Sequence, residues 1–251
     1  MHLGSQGKSP GFARWALFVM LVLAGGVAGW FWHAAWQAAD PAARDKAAIG
    51  KVVHDYILDH PEILPQAMEN LHQRESAKQL ASLRTELETP FPGAIIGNPN
   101  GKVTLVEFTD FACGYCRQSV ADVEALVKEN PDLRVVIREF PILSPESGDA
   151  ARMALAAAQQ GKYAAFHHAM YAIGRPGPQT IEAAARAAGL DLERARKAIR
   201  DPRIEAEIRR NAEMASQLGF NGTPSWIAGE AIISGAVGKQ QLSEAIAAAR
   251  S

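Results

Sequence analysis

Residues 15–32 run from Trp15 to Trp32 without one charged side chain. That is just long enough for a helix to span a bilayer. Trp15, Trp30, Trp32 and Trp36 flank or end the run, as an interfacial belt would. The pattern then turns amphipathic. Val52, Val53, Tyr56 and Ile57 form one helical face, Asp59-His60-Pro61 interrupts it, and Ile63, Leu64, Ala67, Met68 and Leu71 form a second. Leu80, Leu83 and Leu87 continue beyond a polar stretch at 73–79, and Pro90 and Pro92 close the segment. Asn98-Pro99-Asn100-Gly101 is a turn. After it an apolar strand is expected at 103–109, a helix to about residue 129 and a second strand at 133–139. Ala-rich helices follow at 147–160, 162–173, 180–188 and 190–218. Short strands at 226–228 and 231–235 enclose the turn Gly229-Glu230, and a helix over 239–250 ends the chain. Three parts emerge: 1–36, an apolar leader; 37–92, a helical arm; and 93–251, a globular domain with a helical block at about 144–218.

The leader is a transmembrane anchor or a signal peptide. Gly26-Val27-Ala28 offers a small-x-small cleavage site, but the uncleaved anchor is preferred. Lys8 and Arg14 lie closer to the run than Arg44, Lys46 and Lys51 do, which puts the N-terminus in the cytoplasm and exports the rest. In the arm, a lone amphipathic helix needs cover for its apolar face. The arm is therefore either a spacer lying on the main domain or an oligomerisation element. Its apolar positions, Leu80, Leu83 and Leu87 included, have no obvious partner in a domain with its own core. Its heptad is too irregular for a coiled coil.

Composition narrows the function classes. The chain has 251 residues, 48% of them hydrophobic, which is enough for a core. A net charge of −1 gives nucleic acid nothing to bind. The only cysteines are Cys113 and Cys116, a C-x-x-C placed where the first strand gives way to a helix. The first sulfur at such a position lies near unpaired N–H groups at the positive end of the helix dipole, so its thiolate is favoured. Cys113 is then the nucleophile that attacks a disulfide, and Cys116 resolves the mixed disulfide. Zinc would need about four ligands, and no second C-x-x-C exists. His167 and His168 are neighbours that diverge on a helix, so a packed or surface role suits them better. A purely structural disulfide in so short a loop would stabilise little.

Cys113-Gly114-Tyr115-Cys116 between strand and helix, with Gly222-Thr223-Pro224 before a short hairpin, resembles the thioredoxin superfamily. The long, mostly helical stretch between the two motifs resembles its DsbA-like members, as do the 97–108 opening and Arg138-Glu139-Phe140-Pro141-Ile142-Leu143. The arm at 45–90 looks like the extension of the branch related to suppressor-of-copper-sensitivity protein C. The resemblance implies an α/β thioredoxin fold with an inserted helical domain. It implies a cis-proline at Pro224 and a Thr223 backbone that pairs with an extended client peptide. It also implies a buried acid at Glu107, six positions before Cys113, that relays the Cys116 proton. Strand alternation puts Glu107 on one side with Leu105 and Thr109 and does not say which side is buried.

Strongly oxidising members carry a histidine in the dipeptide; here it is Gly114-Tyr115. Tyr115 is also expected to face clients, and as a neutral side chain it holds the thiolate less firmly than imidazolium. The disulfide is then less oxidising, by about 30 mV for each 1.4 kcal/mol. Thr223 before Pro224 points the same way. The expectation is a periplasmic protein disulfide isomerase or reductase, with a dithiol oxidase as the alternative. It needs no cofactor or metal beyond the Cys113–Cys116 disulfide. Its partners would be client proteins, a membrane redox protein and copies of itself, as a trimer through 45–90. A reading of another class is a Cu(I)-handling protein that uses the two thiols as soft ligands.

Overall fold

The computed structural model describes residues 11–37 and 41–250. The chain divides into two compact units, 1–70 and 71–251.

The first unit is helical. Helix α1 (Gly11–Gln37) contains a stretch, Trp15–Ala34, that is long and apolar enough to cross a membrane by length and composition. Helix α2 (Pro41–Asp59) ends where expected, because Pro61 has no N–H to continue the ladder. Helix α3 (Ile63–Glu88) begins in the first unit and ends in the second. Val52, Val53 and Tyr56 of α2 and Leu64 and Met68 of α3 are exposed, so the first unit's apolar faces lack cover.

The second unit is built on a five-stranded sheet. Strand β1 (Ile95–Gly97) pairs antiparallel with β3 (Leu133–Glu139), and β3 pairs parallel with β2 (Val103–Thr109). On its other side β2 pairs antiparallel with β4 (Ser225–Ala228), and β4 with β5 (Ala231–Ser234). The spatial order is β1-β3-β2-β4-β5. Both faces of β2 and β3 are buried, so their alternation separates two cores rather than core from solvent. Leu105, Val135, Ile137 and Trp226 join one cluster with Val123 and Leu126 of α4 (Gly114–Glu129) and Ile246 of α10 (Gly238–Ala248). The helical block α5 (Pro145–Ala158), α6 (Tyr163–Ile173), α7 (Pro178–Ala187) and α8 (Leu192–Ala198) adds Ala154, Phe166, Ala184 and Ala195 to it. Val106, Phe108, Val136 and Ile227 point the other way, onto Met214 and Ala215 of α9 (Pro202–Gln217).

Three expectations are corrected. Residues 190–218 are two helices: Pro202 cannot donate, and Asp201 caps the new start by accepting from Arg203 N at 2.9 Å. Strand β1, too short to show a period, was not expected. It is seated by Gly93, whose φ is +89° and whose Cβ would lie 2.4 Å from the Ala158 carbonyl oxygen. The third concerns the arm. The polar stretch at 73–79 does not break α3, and Leu80, Leu83 and Leu87 are buried in the second core beside Val106 and Phe108. They have a partner after all, in the sheet itself.

The end of α3 is fixed by Arg138. This fully buried side chain of β3 donates to the carbonyl oxygens of Glu86, Leu87 (3.0 Å) and Thr89 (2.6 Å), and pairs with Glu207 of α9 at 2.6 Å. Orphan carbonyls of a helix C-terminus thus meet a guanidinium, whose five donors suit that task. The arm's final turns are therefore part of the globular fold. A fragment beginning at residue 71 should unfold cooperatively. One beginning at residue 93 should lose at least about 4 kcal/mol by urea denaturation, since three leucines and the acceptors of a buried arginine go with the missing piece.

Candidate active site

The reactive motif follows from how β2 ends. Asp110, just past the strand, is buried and its carboxyl takes three backbone donors: Ala112 N, Ile142 N and Leu143 N, each at 2.8 Å. Its carbonyl accepts from Cys113 N at 2.9 Å. One residue thereby ties the cysteine loop to the segment after β3, and the chain turns into α4 with Cys113 as the N-cap. Cys113 Sγ accepts from Cys116 N at 3.3 Å, the service an N-cap side chain normally performs.

Both cysteines are free thiols. Cys113 is 5% exposed and Cys116 fully buried, so only Cys113 presents sulfur to the surface. A Cβ at Gly114 would meet nothing within 4 Å, and Tyr115 stands 64% exposed beside it. Thr223 precedes a cis peptide bond to Pro224, and its carbonyl oxygen lies 3.2 Å from Cys113 Sγ. The structure thus brings Cys113, Cys116, Thr223 and Pro224 together, with Tyr115 at the rim.

The two sulfurs differ electrostatically. The Cys116 thiol, donating to Cys113, is the main reason the Cys113 pKa falls to about 5. Burial opposes it, while Thr223 and the N–H groups of Cys116 and Tyr115 help. No cationic side chain is among these causes. Cys116 moves up, first through burial, then through its bond to the Cys113 sulfur and the nearby Glu107 charge. Burial likewise pushes Glu107 up to about 8, partly offset by the Thr109 hydroxyl and reinforced by charge on Cys113.

Register decides which side Glu107 takes. It pairs with Ile137 and Trp226, both in the core that α4 covers, so its carboxyl is buried on the cysteine side of the sheet. Its Oε2 has no hydrogen-bond partner. Hydroxyl and acidic groups that the motifs alone do not reveal stand on the same side, and the two neighbouring histidines take the packed and surface places expected of them. Thr109 Oγ1 lies 2.7 Å from the Tyr171 hydroxyl, and Tyr171 donates to the Asp110 carbonyl at 3.0 Å. Glu139 accepts from the Tyr163 hydroxyl at 2.5 Å, and burial drives both well above their ordinary values. His167 is packed against Tyr171, ring centroids 4.9 Å apart, and burial pushes it down to about 3. His168 is exposed and pairs with Glu124 at 2.6 Å. Thr109 and Glu139 were findable: they face each other across β2 and β3, two residues beyond Glu107 and Ile137.

Comparisons with known proteins agree with this geometry. A family model described as thioredoxin matches residues 91–248, and one described as the copper resistance protein ScsC N-terminal domain matches 45–78. A thioredoxin-like oxidoreductase from Silicibacter pomeroyi is 44% identical with a TM-score of 0.60, covering 62% of this chain and 91% of that one. A linker-deletion mutant of Proteus mirabilis ScsC is 25% identical with a TM-score of 0.68, covering 82% and 94%. A periplasmic thioredoxin-like protein from Salmonella enterica is 29% identical with a TM-score of 0.60, covering 66% and 95%. A Na(+)/H(+) antiporter, NhaA 3 of Salinispora tropica, is 32% identical over 133 residues, 52% of this chain. The matching stretch is 20% of that antiporter's length, so it does not carry the antiporter's activity to this chain.

The thiolate can be read directly. Absorbance at 240 nm should titrate with a midpoint near pH 5 and vanish in Cys113→Ser, while Cys116→Ser retains a titrating thiol. Cys113 has a folded pKa below its unfolded value of 9.0. Its contribution to the stability of the reduced protein is therefore complete above pH 9 and disappears as the pH falls through about 5.

Proposed function

The chain belongs to the thioredoxin family of thiol–disulfide oxidoreductases, and from that premise we propose that it is an exported, membrane-anchored enzyme working as a protein disulfide isomerase or reductase. The observation that carries the chemistry is Cys113 Sγ at the start of α4, 3.2 Å from the Thr223 carbonyl oxygen, with Cys116 buried behind it. Cys113 attacks a client disulfide, Cys116 displaces the client, and the redox-active pair is the only cofactor required. Glu107 takes up the Cys116 proton, and the Thr223 backbone beside the sulfur receives the client strand.

Direction follows from charge. A thiolate held by neutral donors alone is stabilised less than one with an imidazolium beside it, and Tyr115 supplies no such charge. That favours a disulfide less oxidising than in histidine-bearing relatives and a protein kept reduced by a membrane partner. Export rests on the apolar Trp15–Ala34 stretch. The exposed faces of α2 and the start of α3 support a homo-oligomer, a trimer in our reading, that gathers several thiolates around one client. The contacts would come from residues 45–71, because Leu80, Leu83 and Leu87 are already committed to the core.

A second reading has one observation behind it: residues 45–78 match a domain named for copper resistance. Two adjacent thiols are soft donors suited to Cu(I). Stoichiometric Cu(I) binding without insulin reduction would favour this reading.

Three measurements on the fragments 41–250 and 71–250 test the proposal. Equilibration against glutathione should give a potential below that of strongly oxidising relatives, about −120 mV. Cys116→Ser should accumulate mixed disulfides through Cys113. Fragment 71–250 should keep insulin reduction but lose oligomerisation by light scattering and repair of scrambled disulfides. A monomeric long fragment would remove the case for the isomerase and leave a simple oxidase or reductase.

A further inference from the structure

Cys116 must lose a proton before it can attack, yet it is fully buried. The Glu107 carboxyl is buried on the same side of the sheet, with Oε2 unpartnered. Between strand and helix sits Thr109, wholly buried at the end of β2. It shares Glu107's face of the strand two residues along, and its hydroxyl is among the groups that favour the anions of both Glu107 and Cys116. Its firm hydrogen bond, at 2.7 Å, is to Tyr171 of α6.

Tyr171 has one proton and two acceptors. It can donate to the Asp110 carbonyl at 3.0 Å or to Thr109 Oγ1. When it donates to Asp110, its oxygen accepts the Thr109 proton, and Thr109 can accept from a protonated Glu107. When it turns to Thr109, the Thr109 proton is free for an ionised Glu107. A hydroxyl with one donor and two lone pairs can serve both arrangements.

We propose that the Thr109 hydroxyl relays the proton from Cys116 to Glu107, and that Tyr171 is the positioning residue that orients the relay. The inference rests on the thiol–disulfide reading above and adds to it the route by which the resolving thiol is activated. The Cys116 proton passes to Thr109 Oγ1 as the Thr109 proton passes to the Glu107 carboxylate. The Cys116 thiolate then attacks Cys113 Sγ, the bond from Cys113 to the client sulfur breaks, and the client leaves as thiolate. The dithiol has given up two electrons and the client disulfide has gained them.

The surroundings leave Glu107 and the thiols as the groups that change charge in this step. The groups electrostatically linked to Glu107 are Cys113, the N-cap of α4, Cys116 of α4, Glu139 of β3, and Tyr163 and Tyr171 of α6. Burial drives Glu139 well above the ordinary carboxylate range and raises both tyrosines further above their already high values. His167, also on α6, is buried and neutral. The Asp110 carboxyl is occupied by three backbone N–H groups.

Stopped-flow reaction of the reduced protein with 5,5′-dithiobis(2-nitrobenzoic acid) separates the two thiols. The first equivalent of coloured thiolate reports attack by Cys113, the second resolution by Cys116. In Thr109→Val the first phase should stay within about twofold of wild type, and the second should slow at least tenfold and lose its rise with pH. Thr109→Ser should restore it. Tyr171→Phe should slow it about threefold and shift its pH midpoint. In a Glu107→Gln background, Thr109→Val should have no further effect, since both act in one step. A wild-type second phase in Thr109→Val, or an additive loss in Glu107→Gln, overturns the relay and leaves the oxidoreductase reading intact. If wild-type protein shows no two-phase release, that reading falls and the relay with it.

Discussion

A negative charge on Cys113 sulfur has to be held without any cation, and much of the second unit's local structure meets that constraint. The donors are an N–H of α4, the Cys116 thiol and the Thr223 side of the hairpin loop. The first two belong to α4 and the third to the loop before β4, so the set is complete only once the sheet has assembled. The N-cap geometry exists because Asp110 ends β2 by capturing three N–H groups at once. Thr223 arrives beside the sulfur because β4 pairs with β2 in a register that opposes Ser225 to Phe108. A short-range motif therefore acquires its electrostatics from long-range pairing.

Beneath the sulfur the protein buries two carboxyl groups, Glu107 and Glu139, on one face of the sheet. Two ionised carboxylates in so dry a place would repel strongly and lack solvation, so burial pushes both above the ordinary carboxylate range. Glu107 charge is among the causes that lift Glu139 further. The surrounding tyrosines and threonine supply hydroxyls, which can donate or accept without becoming charged.

The arm shows how one helix can serve two purposes. The C-terminal turns of α3 bury Leu80, Leu83 and Leu87 against the sheet and have their last carbonyls satisfied by Arg138. Its N-terminal turns leave Leu64 and Met68 exposed. A continuous helix with a covered end and a bare end suits an element that fixes a catalytic domain to something beyond it. Arg138 is costly to bury, and its pairing with Glu207 and three carbonyls offsets that cost only when both α3 and α9 are docked.

The sequence alone was enough to place the strands β2 and β3, the helix after Cys113, the hairpin and the apolar leader, because each has a strong local period or punctuation. It also marked the two sulfurs as chemically unequal, since only the first can cap a helix. It could not choose a side for Glu107: alternation has two phases, and both faces of β2 turned out to be buried. It missed β1, which holds three residues and owes its existence to pairing with β3. It read Leu80, Leu83 and Leu87 as uncovered, because nothing local says that a sheet's second face is still open. Those matters belong to tertiary structure, where burial depends on which surfaces meet and a carboxyl's protonation depends on what surrounds it.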